Sequence, residues 1–289
     1  MAQTTVPEDP TDPGTLRESG AQIRSLMREA HASGARLAQF PEGAVVYPGK
    51  YVMSSAGPTT LAEADWTRMH WDVMRAEAEA VAVLAAQLGL WTVFGSLHPL
   101  TPPRRPHNSL YIISPNGAVV TRYDKRFLSH TEVTWMYTPG TEPVVFEAEG
   151  FRFGCALCIE AHFPEIFAEY EQLDADCVLL SVMVDDPVRP VIAQAYAALY
   201  SYWVGYSTPA QYSCTAPAGI AAPGGRWIAR CPANGQPAII VADLDPGTSA
   251  PDIDTAIRLA RPWRRAARAG LDGDHRAPED PRSDIRSSF

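Results

Sequence analysis

Long apolar runs are missing from this sequence of 289 residues. None approaches the roughly 18–20 residues that a membrane-crossing helix needs, so no spanning segment is expected. The first residues, Met1-Ala2-Gln3 and the Pro-rich stretch after them, lack a basic region followed by an apolar one, so no secretory signal is visible. Basic residues are the minority: Lys plus Arg is 24 and Asp plus Glu is 33, a formal charge of −9. An acidic surface repels phosphate backbones, which argues against a nucleic-acid partner. Cysteine is sparse, with five residues at irregular spacing. That pattern predicts reduced thiols and a soluble, cytoplasmic protein.

Several chemical signatures are absent too. There is no G-x-S-x-G elbow, no G-x-G-x-x-G, no Walker A lysine and no H-E-x-x-H. Cys155-Ala-Leu-Cys158 is formally a C-x-x-C, but Cys177, Cys214 and Cys231 supply no second pair, so no metal site is expected. On a strand, residues three apart face opposite sides, which leaves Cys155 as a core thiol. No cofactor is implied by these residues. Nor does any unit of 20–50 residues repeat, so a solenoid is not expected.

What remains is a globular composition, 46% hydrophobic and 20% charged, punctuated by 26 prolines. Leu16, Ile23, Leu26, Met27 and Ala30 recur at helical spacing, with Gly34 as a stop. Residues 36–40 read as a strand, 61–88 as a long helix ended by Gly89, and 91–98 as a buried strand. Asn116-Gly117 and Gly224-Gly225 each sit between strand-like runs as hairpin turns. Strands at 151–158, 177–184 and 237–244 alternate with helices at 164–173 and 191–204. The alternation predicts an α/β layered domain with a mixed sheet and helices on its outer faces. Trp66, Met69, Trp71 and Met74 follow helical spacing and read as core or interface. Arg258, Arg261, Arg264, Arg265 and Arg268 read as a helix cap or as partners for carboxylates rather than as a nucleic-acid site.

Reactive groups of α/β sheets gather at the carboxyl ends of strands. Three polar residues lie at such ends: Glu42 after Phe40-Pro41, Lys125 after the first hairpin, and Cys158 closing its strand. They are 83 and 33 residues apart, so only the fold can unite them. A thiol nucleophile needs a base, which a carboxylate in a dry pocket can be, and a positive group for the oxyanion. Glu, Lys and Cys cover those roles.

The sequences around these residues resemble the nitrilase superfamily, the carbon–nitrogen hydrolases. Ala38-Gln-Phe-Pro-Glu42-Gly43 is similar to its base motif, and Tyr123-Asp-Lys125-Arg-Phe-Leu128 to its lysine motif. Gly154-Cys-Ala-Leu-Cys158-Ile-Glu160-Ala-His-Phe-Pro164-Glu165 is similar to its nucleophile motif. The resemblance covers roughly residues 2–265. It implies that Cys158 forms a thioester, that Glu42 shuttles the proton, and that Lys125 stabilises the oxyanion with the backbone N–H of Ile159. Glu132 matches a second glutamate that positions substrate or tunes Lys125. The implied fold is a four-layer α-β-β-α sandwich spanning 1–269, with 270–289 a flexible tail. The implied oligomer is a homodimer or larger, formed through helices, and residues 191–204 supply a suitable apolar one.

The implied activity is cleavage of a small linear amide or carbamoyl compound to acid plus ammonia or amine, without metal or cofactor. A nitrile hydrolase and a silent binding homologue are the alternatives; Cys158-Ile159-Glu160 lacks the tryptophan that nitrile hydrolases tend to carry. Relatives open with a full strand where this chain has Met1-Ala2-Gln3, so the first strand is expected to be truncated or the native start to lie upstream. The region of an asparagine-centred strand in many relatives is occupied here by Tyr206-Ser-Thr-Pro209. Tyr47, Trp135 and Met183 are candidate pocket walls, whereas Asp185-Asp186 reads as a solvated loop pair, with binding of a cationic substrate as the alternative.

Overall fold

The computed structural model describes residues 1–247 and 250–284. In chain order the elements are β1 (Ala2–Gln3), α1 (Pro13–Ala32), β2 (Leu37–Gln39), the single turn α2 (Lys50–Met53), α3 (Trp71–Leu88), β3 (Trp91–His98), β4 (His107–Ile113) and β5 (Val119–Asp124). Then come β6 (Val145–Ala148), β7 (Phe151–Leu157), α4 (Pro164–Gln172), β8 (Cys177–Ser181), α5 (Val188–Tyr200), β9 (Trp203–Ser207), β10 (Gly219–Ala221), β11 (Trp227–Arg230) and β12 (Ala238–Ile239). Short helices α6 (Pro251–Thr255), α7 (Arg261–Arg268) and α8 (Pro281–Asp284) follow.

Alternation along the strands builds the layers. Val93 of β3 faces inward with Leu110, Ile112 and Tyr123, meeting Phe153, Cys155, Leu157 and Leu179 of the other sheet. Their neighbours Phe94 and Ile113 turn the opposite way and pack under Ile23, Met27, Val81 and Leu84 of α1 and α3. On the far side Val178, Leu180 and Val204 pack under Phe167, Ala193 and Ala197 of α4 and α5. The strand period of two thus generates helix, sheet, sheet and helix, as expected. One sheet has the order β2-β3-β4-β5 and the other β11-β10-β9-β8-β7-β6, while β1 and β12 form a separate pair. Neighbours β7, β8 and β9 are parallel.

Several boundaries differ from expectation; the strand read over 177–184, for one, ends at Ser181. The helix read over 61–88 begins only at Trp71. Asp65 accepts from the backbone N–H of Thr67 (3.1 Å) and caps a separate 3₁₀ turn, Trp66–Arg68, after which Met69 is extended. The helix read over 191–204 stops at Tyr200, because Ser201 turns left-handed at φ 55° and Trp203-Val204 open β9. The last strand shrinks from 237–244 to Ala238–Ile239. Both hairpins form where expected, Asn116 accepting from the N–H of Ala118 to hold the first.

The basic cluster finds its carboxylates. Buried Glu171 on α4 receives Arg264, Arg265 and Arg268 at 3.3, 2.9 and 2.5 Å, and Arg261 meets Asp176 at 3.4 Å. These contacts dock α7. Residues from Gly270 to Arg282 lie exposed on the surface; of the tail read over 270–289, residues 285–289 lie outside those described. No helix among the described residues is long and apolar enough to cross a membrane.

At the start of the chain, Met1 donates its ammonium to the carbonyl of Ile240 (2.8 Å), extending the pairing of β1 with β12. Beside it a cavity of about 180 Å³ is lined by apolar side chains such as Leu37, Phe151 and Ile240.

Candidate active site

Each candidate residue sits just past a strand end. At the end of β2 the N–H of Phe40 still bonds to Val93, and the chain then turns through Pro41, Glu42 and Gly43 at φ 61°. That turn lies directly on β3. A Cβ on Gly95 would come within 2.2 Å of the Gly43 nitrogen and 2.4 Å of the Pro41 oxygen, so only glycine admits the approach. Ser181 at the end of β8 donates to the Phe40 carbonyl (2.8 Å) and accepts from Gln39 (3.0 Å), fixing the turn against the second sheet. Lys125 leaves β5 with its N–H on the Asn108 carbonyl (2.9 Å). Cys158 follows β7 at φ 44° and opens a 3₁₀ turn, Cys158–His162.

At the centre is a buried ammonium between two carboxylates. Lys125 Nζ donates to Glu42 Oε1 and Glu132 Oε1, both at 2.8 Å, and Lys125 is 1% exposed. Asn108 Nδ2 donates to the same Glu42 oxygen at 2.8 Å. Glu132 accepts from the Ser129 N–H (2.7 Å) and from the Tyr47 hydroxyl (3.2 Å). Glu42 Oε2 is buried and has no hydrogen-bond partner among the described residues. Its lone pairs are free to take a proton.

The electrostatics follow from two negative charges against one positive in a dry place. Burial raises Glu42 above the ordinary carboxylate range, and the charge of Glu132 adds to this despite Lys125. Burial acts on Glu132 the same way, but the Lys125 ammonium and the Ser129 N–H outweigh it and hold that carboxyl low. Lys125 stays charged because Glu42 and Glu132 overcome its desolvation. The Cys158 thiol is pushed up to about 12 by burial and by the Glu42 charge, against the pull of Lys125 and of the Met183 N–H. The resting sulfur is therefore protonated, within electrostatic reach of a carboxylate whose affinity for protons is enhanced. Such a constellation can deprotonate a thiol as it attacks and can receive negative charge on the ammonium.

Glu160 joins the parts. It accepts from the Tyr123 hydroxyl (2.9 and 2.8 Å), from the N–H groups of Arg126 (2.7 Å) and Phe127 (3.1 Å), and from that of Leu157 (2.7 Å). One buried carboxylate thus ties the segment after Lys125 to the segment before Cys158.

Of the residues singled out from sequence, Glu42, Lys125, Glu132 and Tyr47 form one bonded network. Cys158 lies within its electrostatic reach, the Met183 N–H acts on the Cys158 sulfur, and Ile159 follows Cys158 in the turn. Trp135 packs in the layer under α1 and α3, its carbonyl accepting from the Ala64 N–H (3.0 Å). Asp186, read as a solvated loop residue, instead pairs with Arg189 at 3.1 Å. Asn108 and the bracing role of Glu160 were not anticipated. A polar His-Asn-Ser run inside an otherwise apolar β4 was the available signal for the first.

Replacing Lys125 with Met leaves two buried carboxylates uncompensated, at an expected cost of about 3–5 kcal/mol at pH 7. Both would then titrate above the unfolded range, so the folded chain binds more protons and the deficit shrinks as pH falls towards 5. Urea unfolding at the two pH values measures both effects.

The carbon–nitrogen hydrolase family profile matches residues 15–253. "Hydrolase Rv0480c" of Mycobacterium tuberculosis is 27% identical over 242 residues, covering 75% of this chain and 80% of the relative. "Deaminated glutathione amidase" of Dictyostelium discoideum is 25% identical over 109 residues, 34% of this chain and 38% of its own. Among solved structures, an amidase from Nesterenkonia sp. superposes with a TM-score of 0.69 at 18% identity, covering 91% of this chain and 94% of the amidase. A glutamine-dependent NAD+ synthetase from Acinetobacter baumannii gives 0.62 at 16% identity, over 80% of this chain and 42% of the synthetase. These two likenesses concern the fold; the profile match spans most of the chain and shows that the protein belongs to the carbon–nitrogen hydrolase family.

Proposed function

We propose that the protein is a cysteine-dependent amidohydrolase of a small linear amide or carbamoyl compound. The observation that carries the reading is the division of labour on Glu42: one oxygen is held by Lys125 and Asn108, while the other is buried and free. In the first step Glu42 Oε2 takes the thiol proton as the Cys158 sulfur bonds to the substrate carbonyl carbon. The carbonyl electron pair moves onto oxygen, facing the Lys125 ammonium and the Ile159 N–H. Collapse expels the amine, which receives the proton from Glu42, and leaves a thioester. Water then gives a proton to Glu42 and attacks the thioester. The acid departs as the thiol is restored.

The burial of the site supports a small substrate, since Cys158 is only 8% exposed. The names of the Nesterenkonia amidase and of the Dictyostelium relative support an amide over a nitrile. For assembly we favour a homodimer through α5, whose Val191 and Leu199 are both 60% exposed.

Incubation with a panel of small amides, carbamoyl amines and nitriles tests the reading. The expected result is ammonia or amine release from an amide or carbamoyl compound, with an acyl mass on the intact protein that Cys158→Ala abolishes. Turnover of nitriles alone, or an adduct that persists in Cys158→Ala, would overturn it.

A further inference from the structure

The nucleophile's backbone is held in an unfavourable conformation. Cys158 has φ 44°, in the left-handed region that a residue with a Cβ rarely occupies unless its surroundings impose it. Two side chains of α5 grip the turn that follows. Arg189 Nη1 donates to the Cys158 carbonyl at 2.9 Å, and the Tyr196 hydroxyl donates to the Ala161 carbonyl at 3.0 Å. Arg189 is 5% exposed, and its Nε donates to Asp186 Oδ2 at 3.1 Å. Asp186 is itself fixed by the Val188 N–H at 2.8 Å. A guanidinium paired with one carboxylate at the start of a helix has no need to be buried. This one is drawn inward to a backbone carbonyl, and that carbonyl belongs to the nucleophile.

Peptide planarity gives the contact its consequence. The carbonyl of Cys158 and the N–H of Ile159 share one rigid amide unit and, in the trans form, point in opposite directions. Whatever fixes the carbonyl aims the N–H. A charged donor on the oxygen also polarises the amide, which strengthens the N–H as a donor. We propose that Arg189, oriented by Asp186, is a positioning residue that locks the Cys158–Ile159 peptide plane, holding the thiol at its angle of attack and directing the Ile159 N–H at the developing oxyanion. The proposal rests on the amidohydrolase reading for its oxyanion half, while the placement of the thiol can be read without it.

The test compares wild type with Arg189→Met, which keeps an apolar stem of similar reach without the donors, and Arg189→Lys, which restores one charged donor. Each is measured for kcat and KM on the best amide of the panel, and for the iodoacetamide rate at Cys158 relative to exposed Cys214. Arg189→Met is expected to lower kcat by about 10–100-fold, the scale of a misaimed donor, with KM within about twofold. Arg189→Lys is expected to recover part of that loss, and the ratio of Cys158 to Cys214 labelling to fall in Arg189→Met at temperatures where circular dichroism shows it folded. An unchanged kcat, or a fall matched by the unfolded fraction, would overturn the proposal. If wild type forms no acyl-enzyme with any amide, the amidohydrolase reading fails by itself. The labelling ratio then decides the clamp: a drop in Arg189→Met supports it, and an unchanged ratio overturns it.

Discussion

A single buried ammonium organises this protein's chemistry. Lys125 lies between Glu42 and Glu132 with both contacts at 2.8 Å and almost no exposure to water. Removing three charges from solvent is costly, and their mutual attraction repays this only with near-ideal geometry. That requirement constrains three separate segments at once: the turn after β2, the end of β5 and the turn that carries Glu132. Asn108, Ser129 and Tyr47 supply the hydrogen bonds that complete the set. Burial raises both carboxylates, and the single ammonium with the Ser129 N–H offsets it at Glu132 but not at Glu42, so the two are pushed apart in proton affinity. Glu42 rises and Glu132 falls. The same imbalance distinguishes the group that can exchange a proton from the group that holds the ammonium in place.

Cys158, the proposed nucleophile, comes from the other sheet, at the end of β7. Tyr123 and Glu160 bridge the sheets by a buried hydroxyl–carboxylate contact, and Ser181 bonds to the Phe40 carbonyl across the same gap. The parts of the site are therefore fixed relative to one another by hydrogen bonds within the core. The layered packing explains why the residues are dry, and dryness explains the raised thiol and the raised Glu42 together. Fold and reactivity have one physical origin here.

Much of this was legible in local sequence. The alternation of helical and strand-like runs, with two hairpins interleaved, foretold the layers, and Gly89 and Asn116-Gly117 marked real ends and turns. Glu42, Lys125 and Cys158 stood out because each follows a strand, within a short motif of matching composition. Lys125 is also one of only two lysines in the chain. Other features had no local signature. Asn108 lies 66 residues from the carboxylate it serves, and Arg189 lies 31 from the carbonyl it grips, so only the folded chain reveals either role. The start of α3 was missed because a cap by Asp65 splits a composition that is helix-forming throughout. The end of α5 was missed because apolar helix and buried strand share residue types, and a single left-handed Ser201 separates them.

The account stands on Glu42 being the group that accepts the thiol proton. Time-resolved intact-mass measurement of acyl-enzyme formation, comparing wild type with Glu42→Gln on the same amide at pH 7, addresses this directly. The glutamine keeps an oxygen for Lys125 but has no carboxylate to take the proton, so acylation is expected to slow by about 10²–10⁴-fold. Acylation at the wild-type rate in Glu42→Gln would contradict the account.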